Sequence, residues 1–289
     1  MTKPVFRTLA VAAALAATAA LVAVPASATV TRAQVVPVTA NPDGLAAPGA
    51  ASLRPGVATF QVSTSDQAGR EVGLVRLQPG AELNVLLQNL ATVLFNNDLE
   101  AKKQAGAVVY RDSVLLGGVV LQSRAAQSFS VWLNPGTYYL VDYRSLAGPA
   151  AAYQQITVQG RRSTAIPWPD HVVVQYENAE GAPRFLAPQA IAPHSKLLII
   201  NRTSQMADSL FLPVRPGTTD EDITKFFAGQ AAPPFIGGPQ GALPAFSGYS
   251  QVLHVDLAPG RYVLLSFVGD RTTGASGAAR GMHTIVDVR

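Results

Sequence analysis

Leu257-Ala258-Pro259-Gly260-Arg261-Tyr262 repeats Leu133-Asn134-Pro135-Gly136-Thr137-Tyr138 at an offset of 124 residues. Upstream, Asn41-Pro42-Asp43-Gly44 is matched by Asn178-Ala179-Glu180-Gly181 at an offset of 137, which holds through Pro79-Gly80 and Pro216-Gly217. The change of offset places 13 additional residues in the first copy, between those landmarks. One unit is therefore written twice, over residues 29–160 and 171–289, with a link at 161–170.

Each copy consists of short apolar runs broken by Pro-Gly and Gly-Xaa turns, the pattern of β-structure. Strands are expected at 35–38, 58–63, 74–77, 127–133, 137–143 and 154–158. The second copy answers at 172–176, 196–201, 210–214, 251–257, 260–267 and 283–288. Leu253, Val255 and Leu257 alternate with His254 and Asp256, so that strand has one buried and one wet face. This density of strands predicts an all-β protein of two tandem β-sandwiches, with one short helix per repeat. In the second copy Thr218 and Glu221 read as a capping box opening that helix. In the first, Leu83, Leu86, Leu87, Leu90 and Leu94 keep helical spacing, and the insertion 82–106 is the main asymmetry.

The first 28 residues read as a secretory signal peptide cleaved near Ala28. Lys3 and Arg7 precede the apolar run 9–24, and Ala26-Ser27-Ala28 forms a small-residue cleavage site. The run is about sixteen residues, short of the ~20 a spanning helix needs, so a secreted, extracellular product without a stable membrane anchor is expected. The chain carries 22 Lys+Arg against 18 Asp+Glu. Only Lys102-Lys103 and Arg161-Arg162 pair basic residues, too few for a groove that tracks nucleic acid. With no Cys there is no disulfide framework, and hydrophobic burial must hold the fold.

The stretch Pro259-Gly260-Arg261-Tyr262-Val263-Leu264-Leu265-Ser266, followed by Gly281-Met282 and a last strand, resembles the C-terminal signature of the cupredoxins. The resemblance implies tandem cupredoxin-like Greek-key sandwiches. In the family pattern a Cys ligand stands seven residues after the turn Pro, where this chain has Ser266 and, in the first copy, Asp142. The upstream His falls near Asp208 or Ser209, and the loop 268–280 has no His. Met282 alone matches, with Tyr153 near its place in the first copy. A hydroxyl cannot replace the thiolate that copper electron transfer uses, so the resemblance implies a fold without bound copper.

Other donors are sparse. The four His, His171, His194, His254 and His283, all lie in the second copy. His254 and Asp256 share a strand face and, with Met282, are the candidate metal donors. The first copy has Ser130 and Trp132 where the second has His254 and Asp256. Trp132 and Trp168 are the candidate partner contacts. Trp168 sits between Pro167 and Pro169, in a stiff link, and reads as a wedge between the two copies. No G-x-S-x-G, H-E-x-x-H, P-loop or strand-linked G-x-G-x-x-G is present. The reading is a secreted, non-catalytic binding or structural module with no cofactor and an extracellular partner or ligand. The alternatives are a copper-binding protein with a rearranged site and a secreted hydrolase.

Overall fold

The computed structural model describes residues 34–123, 125–163 and 167–289. The signal-peptide expectation at 1–28 lies outside the described residues. The first half supplies β1 (Gln34–Asn41), β2 (Gly44–Ala46), β3 (Ser52–Leu53), β4 (Gly56–Ser63), β5 (Arg70–Leu77), β6 (Ser113–Leu121), β7 (Ala126–Leu133), β8 (Gly136–Asp142) and β9 (Tyr153–Val158). The second supplies β10 (His171–Glu177), β11 (Pro183–Leu186), β12 (Ala190–Ile191), β13 (Lys196–Asn201), β14 (Ala207–Pro213), β15 (Gln240–Ala245), β16 (Ser250–His254), β17 (Gly260–Leu265) and β18 (His283–Val288).

These strands form an eight-stranded sheet, β11-β10-β13-β16-β7-β4-β1-β2, and a ten-stranded sheet, β12-β18-β17-β14-β15-β6-β5-β8-β9-β3. Replacing each second-half strand by the one nine places earlier makes both orders read the same from either end. The pairings recur too. β1·β4 and β10·β13 are parallel, β5·β8 and β14·β17 antiparallel, and β3·β9 and β12·β18 parallel. The protein is thus mainly β, two tandem Greek-key sandwiches whose sheets run on from one repeat into the other.

Two antiparallel seams join the repeats. Across β7·β16, Phe129 pairs with Leu253, its own counterpart, flanked by Val131↔Gln251 and Ser128↔His254. Across β6·β15, Val119 pairs with Ala242 and Val120 with Gly241. A symmetric register of this kind is what a two-fold relation between like surfaces requires. The core between the sheets is centred on the same place. Phe129 is fully buried and stacks on Phe60 at 5.1 Å, an arrangement worth about 0.5–1.5 kcal/mol beyond its area. The repeated Pro-Gly-Xaa-Tyr turn is held by its tyrosine in both copies: Tyr138 Oη donates to Asn134 O at 2.9 Å and Tyr262 Oη to Ala258 O at 3.0 Å.

β6 and β15, which the strand expectations left out, make the inner seam. β6 is buried along its whole length, so its apolar residues do not alternate and period-two reasoning passes over it. Each strand has a glycine at the bend, Gly118 at φ +147° and Gly241 at φ +142°. A Cβ there would lie 2.2 Å from Val72 O or 2.4 Å from Ser209 O, so only glycine lets the neighbouring backbone approach.

A second core covers the outer face of the ten-stranded sheet. Leu86, Leu87 and Leu90 of α1 (Leu83–Phe95) and Val109 of α2 (Leu99–Asp112) cluster with Leu115, Val120 and Leu210; Ile223 of α3 (Asp220–Phe227) joins Leu212 and Val263. The first repeat thus carries a pair of helices where one was expected. α1 begins where α3 does at the offset of 137, and α2 is the added element, capped by Asp98, whose carboxylate accepts from Ala101 N at 2.8 Å. The α3 capping box is Thr219 with Asp222, one residue beyond the expected Thr218 with Glu221. Thr218 instead donates its hydroxyl to Arg215 O. Among the described residues no helix is long and apolar enough to cross a membrane.

Candidate functional site

A cavity of about 880 Å³ lies over the inner seam, on the outer face of the ten-stranded sheet. Leu115, Val120, Leu210 and Leu243 from the seam strands line it, with Leu90 of α1 and Val109 of α2. The stretch 267–272 and Gly274 complete the lining. That stretch is held by Asp270, whose carboxylate accepts from Thr272 N, Thr273 N and Gln205 Nε2 and pairs with Arg280 Nη1 at 2.5 Å. These bonds outweigh burial and hold Asp270 well below the usual carboxylate range.

Three buried or half-buried polar groups interrupt the apolar lining. Asp208, in β14, is 6 % exposed and accepts from Phe267 N at 3.0 Å. Burial pushes its carboxyl up to about 6, against the lowering effect of Ser266 and the Phe267 and Val268 amides. The Ser266 hydroxyl makes no well-formed hydrogen bond. Glu71, in β5, is Asp208's counterpart at the offset of 137. Burial raises its carboxyl too, with Arg144 Nε 3.8 Å away opposing and Asp142 adding to the rise. Tyr143 is 3 % exposed and its hydroxyl has no partner. Its ring lies against Gly73, where a Cβ would come 2.5 Å from Cζ. Burial first, then Glu71, raises the phenol.

Cations line the cavity as well. Lys102 and Lys103 come from α2, and Arg271 lies 4.2 Å over the Tyr110 ring. Tyr110 stacks on Phe246 at 4.9 Å, and its oxygen accepts from Met206 N at 2.8 Å. Lys103 is paired with Glu100 at 3.0 Å.

No protein-family model matches the sequence, and no curated protein matches it. Solved structures do. A multicopper oxidase is 11 % identical with a TM-score of 0.27, over 89 % of this chain and 89 % of that one. The copper nitrite reductase of Nitrosomonas europaea is 11 % identical with a TM-score of 0.26, over 89 % of this chain and 94 % of that one. Auracyanin A, a blue copper protein of Chloroflexus aurantiacus, is 10 % identical with a TM-score of 0.30, over 44 % of this chain and 100 % of that one. The fold is cupredoxin-like.

The side chains at the positions that the sequence resemblance gives to copper ligands do not suit copper. In the second repeat Ser266 and Met282 flank Gly277, whose Cβ would lie 3.1 Å from Ser266 Oγ and 3.3 Å from Met282 Sδ. With Asp208 they present a hydroxyl, a thioether and a carboxyl, without the thiolate and imidazole that hold blue copper. In the first repeat Asp142, at the place the sequence resemblance gives to the Cys ligand, is fully buried and bound by Arg70 Nη1 at 3.0 Å. Burial still raises the Asp142 carboxyl, against the pull of Arg70.

The residues singled out from sequence are scattered. His254 Nε2 lies 3.2 Å from Ser130 Oγ, and burial lowers its pKa, with Lys196 adding to the drop and Asp170 opposing. Asp256 pairs with His194 at 3.0 Å, both exposed, and Met282 is buried beside Ser266. The three candidate metal donors thus have separate partners. Among the described residues no group of three or more His, Cys, Asp or Glu is placed to hold an ion. Trp132 is 41 % exposed under Arg162 at 4.9 Å, while Trp168 is 80 % exposed. Trp168 is therefore not a wedge, because an interface filler would be buried.

The expectation of a non-enzyme is corrected by the comparison itself: the similar structures are mostly enzymes, multicopper oxidases, copper nitrite reductases and laccases among them. Among the described residues, the Ser–His contact that a hydrolase reading would use is Ser130 with His254. Ser130 is 2 % exposed, shares its hydroxyl with Thr59 at 2.8 Å and lies outside the cavity. The sequence reading met Asp208 only as a position without the expected His, and it missed Glu71 and Tyr143. Glu71 could have been found as the counterpart of Asp208 at the offset of 137, whereas Tyr143 carried no signal of its own.

Proposed function

We propose that the protein is an exported binding protein that takes a small, largely apolar molecule in the cavity at its inner seam, with no copper involved. The cavity carries the reading. Its volume of about 880 Å³ falls in the roughly 300–1,000 Å³ range of small-molecule sites. It joins apolar walls to a few polar groups, the composition that gives affinity and orientation together. Export rests on the N-terminal pattern at 1–28. Exposed Trp132 and Trp168 are its candidate contacts for an extracellular partner. The test is titration with the apolar dye Nile red, read by fluorescence, on the parent and on Leu243→Trp, which fills the cavity. Saturable binding in the parent that disappears in a folded L243W protein is expected. Equal binding by both would remove the cavity from the account.

A further inference from the structure

The burial of the cavity lining is graded, and the gradient locates its mouth. Val109, Leu210 and Leu243 are buried, while Leu94, Leu99 and Phe267 line the same space and are 37–47 % exposed. The exposed three come from the end of α1, the start of α2 and the stretch after β17. The cavity therefore opens between the helix pair and the loop 267–274. Leu99 reaches across that opening. A Cβ on Gly274, at φ +74°, would lie 2.4 Å from Leu99 Cδ1 and 3.3 Å from Cγ, so the leucine rests on bare backbone.

The two sides of the opening are held differently. The loop is tied to itself: Gly274 N donates to Asp270 O at 2.8 Å, Asp270 N to Ala275 O at 2.8 Å and Gly277 N to Val268 O at 2.9 Å, besides the bonds to the Asp270 carboxylate. α2 is fixed at its far end, where Val109 is fully buried, Tyr110 Oη accepts from Met206 N and the Tyr110 ring contacts Phe246 and Arg271. Toward its start no residue before Ala105 is buried, and the ion pair there, Lys103 with Glu100, is internal to the helix. A segment with few buried contacts opens locally at small free-energy cost. Resting on the cavity reading above, we infer that the ligand enters past Leu99, with the first two turns of α2 acting as a lid that closes on Gly274. Leu99 bars passage in both directions, so it governs the rates of entry and exit more than the affinity.

Stopped-flow mixing with Nile red separates this inference from the one beneath it. Leu99→Ala shortens the side chain at an exposed position, which the fold tolerates. It is expected to raise the association and dissociation rate constants together, each by at least about tenfold, and to keep Kd within about threefold of the parent value. Hydrogen exchange of the free protein gives a second reading that needs no dye. Amides 102–106 are expected to exchange at least about tenfold faster than amides 109–112. If Leu99→Ala raises only the dissociation rate, or neither rate, the leucine is an ordinary wall residue; the lid is wrong and the cavity stands. Equal protection along α2 would likewise overturn the lid. If Nile red does not bind the parent at all, the cavity reading fails and the lid with it.

Discussion

Asp208 and Glu71 occupy one place in the repeat, and both are acids that line the cavity. Burial raises the Asp208 carboxyl from 3.8 to about 6. Between those pH values the unfolded chain has given up a proton that the folded chain keeps, so stability falls as pH climbs through the window and levels off above it. Asp208→Asn has no proton to lose. Its stability relative to the parent is expected to improve between pH 4 and pH 7, by about 3 kcal/mol at 1.36 kcal/mol per pKa unit. Urea unfolding of both proteins at several pH values checks this, and a gap that does not change with pH would mean the carboxyl is well solvated. The alignment with the copper pattern led straight to Asp208, Ser266 and Asp142, but only as places where a copper donor is lacking. A linear sequence cannot show that positions 71 and 208 face one space, because that depends on how the repeats meet.

At the scale of elements, the turns and alternating strands were legible because each carries its own local signal. The 283–288 and 196–201 strands stand where the pattern puts them. The capping box slipped by one because Thr218 and Thr219 both precede an acid at the right spacing, and only the backbone angles choose between them. β6 and β15 escaped for a different reason: they are buried on both faces or bent by glycine, so alternation is lost. The glycine at that bend should be intolerant. Gly241→Ala sets a side chain at φ +142° and a Cβ 2.4 Å from a carbonyl oxygen, and a loss of at least about 2 kcal/mol is expected. Gly248→Ala, at φ +82° with open space around it, serves as the control and should lose about 1 kcal/mol. Equal losses in chemical denaturation would show that the close approach is not what the glycine serves.

At the scale of the molecule, the two repeats complete each other's sheets. Separated, the second repeat would bare the edges of β15 and β16, rows of unpaired backbone groups that seek another strand. Because Leu253 already faces its counterpart Phe129, a second copy of the fragment 167–289 fits the vacated place in the same register. The fragment is expected to be a dimer by light scattering at micromolar concentration. A folded monomer would show that the seams are dispensable.

The sequence by itself determined the repeat, the β class and the lack of the blue-copper donors. Each of these is written in local order: the spacing of turns, the alternation along a strand, the identity of a residue at one position. The tertiary structure alone decided that the copies share continuous sheets, that Trp168 stands in solvent, and that two acids and a tyrosine from both halves border one cavity. Those follow from pairings between strands far apart in the chain, whose register is set by burial on both sides at once and leaves no trace in either segment alone.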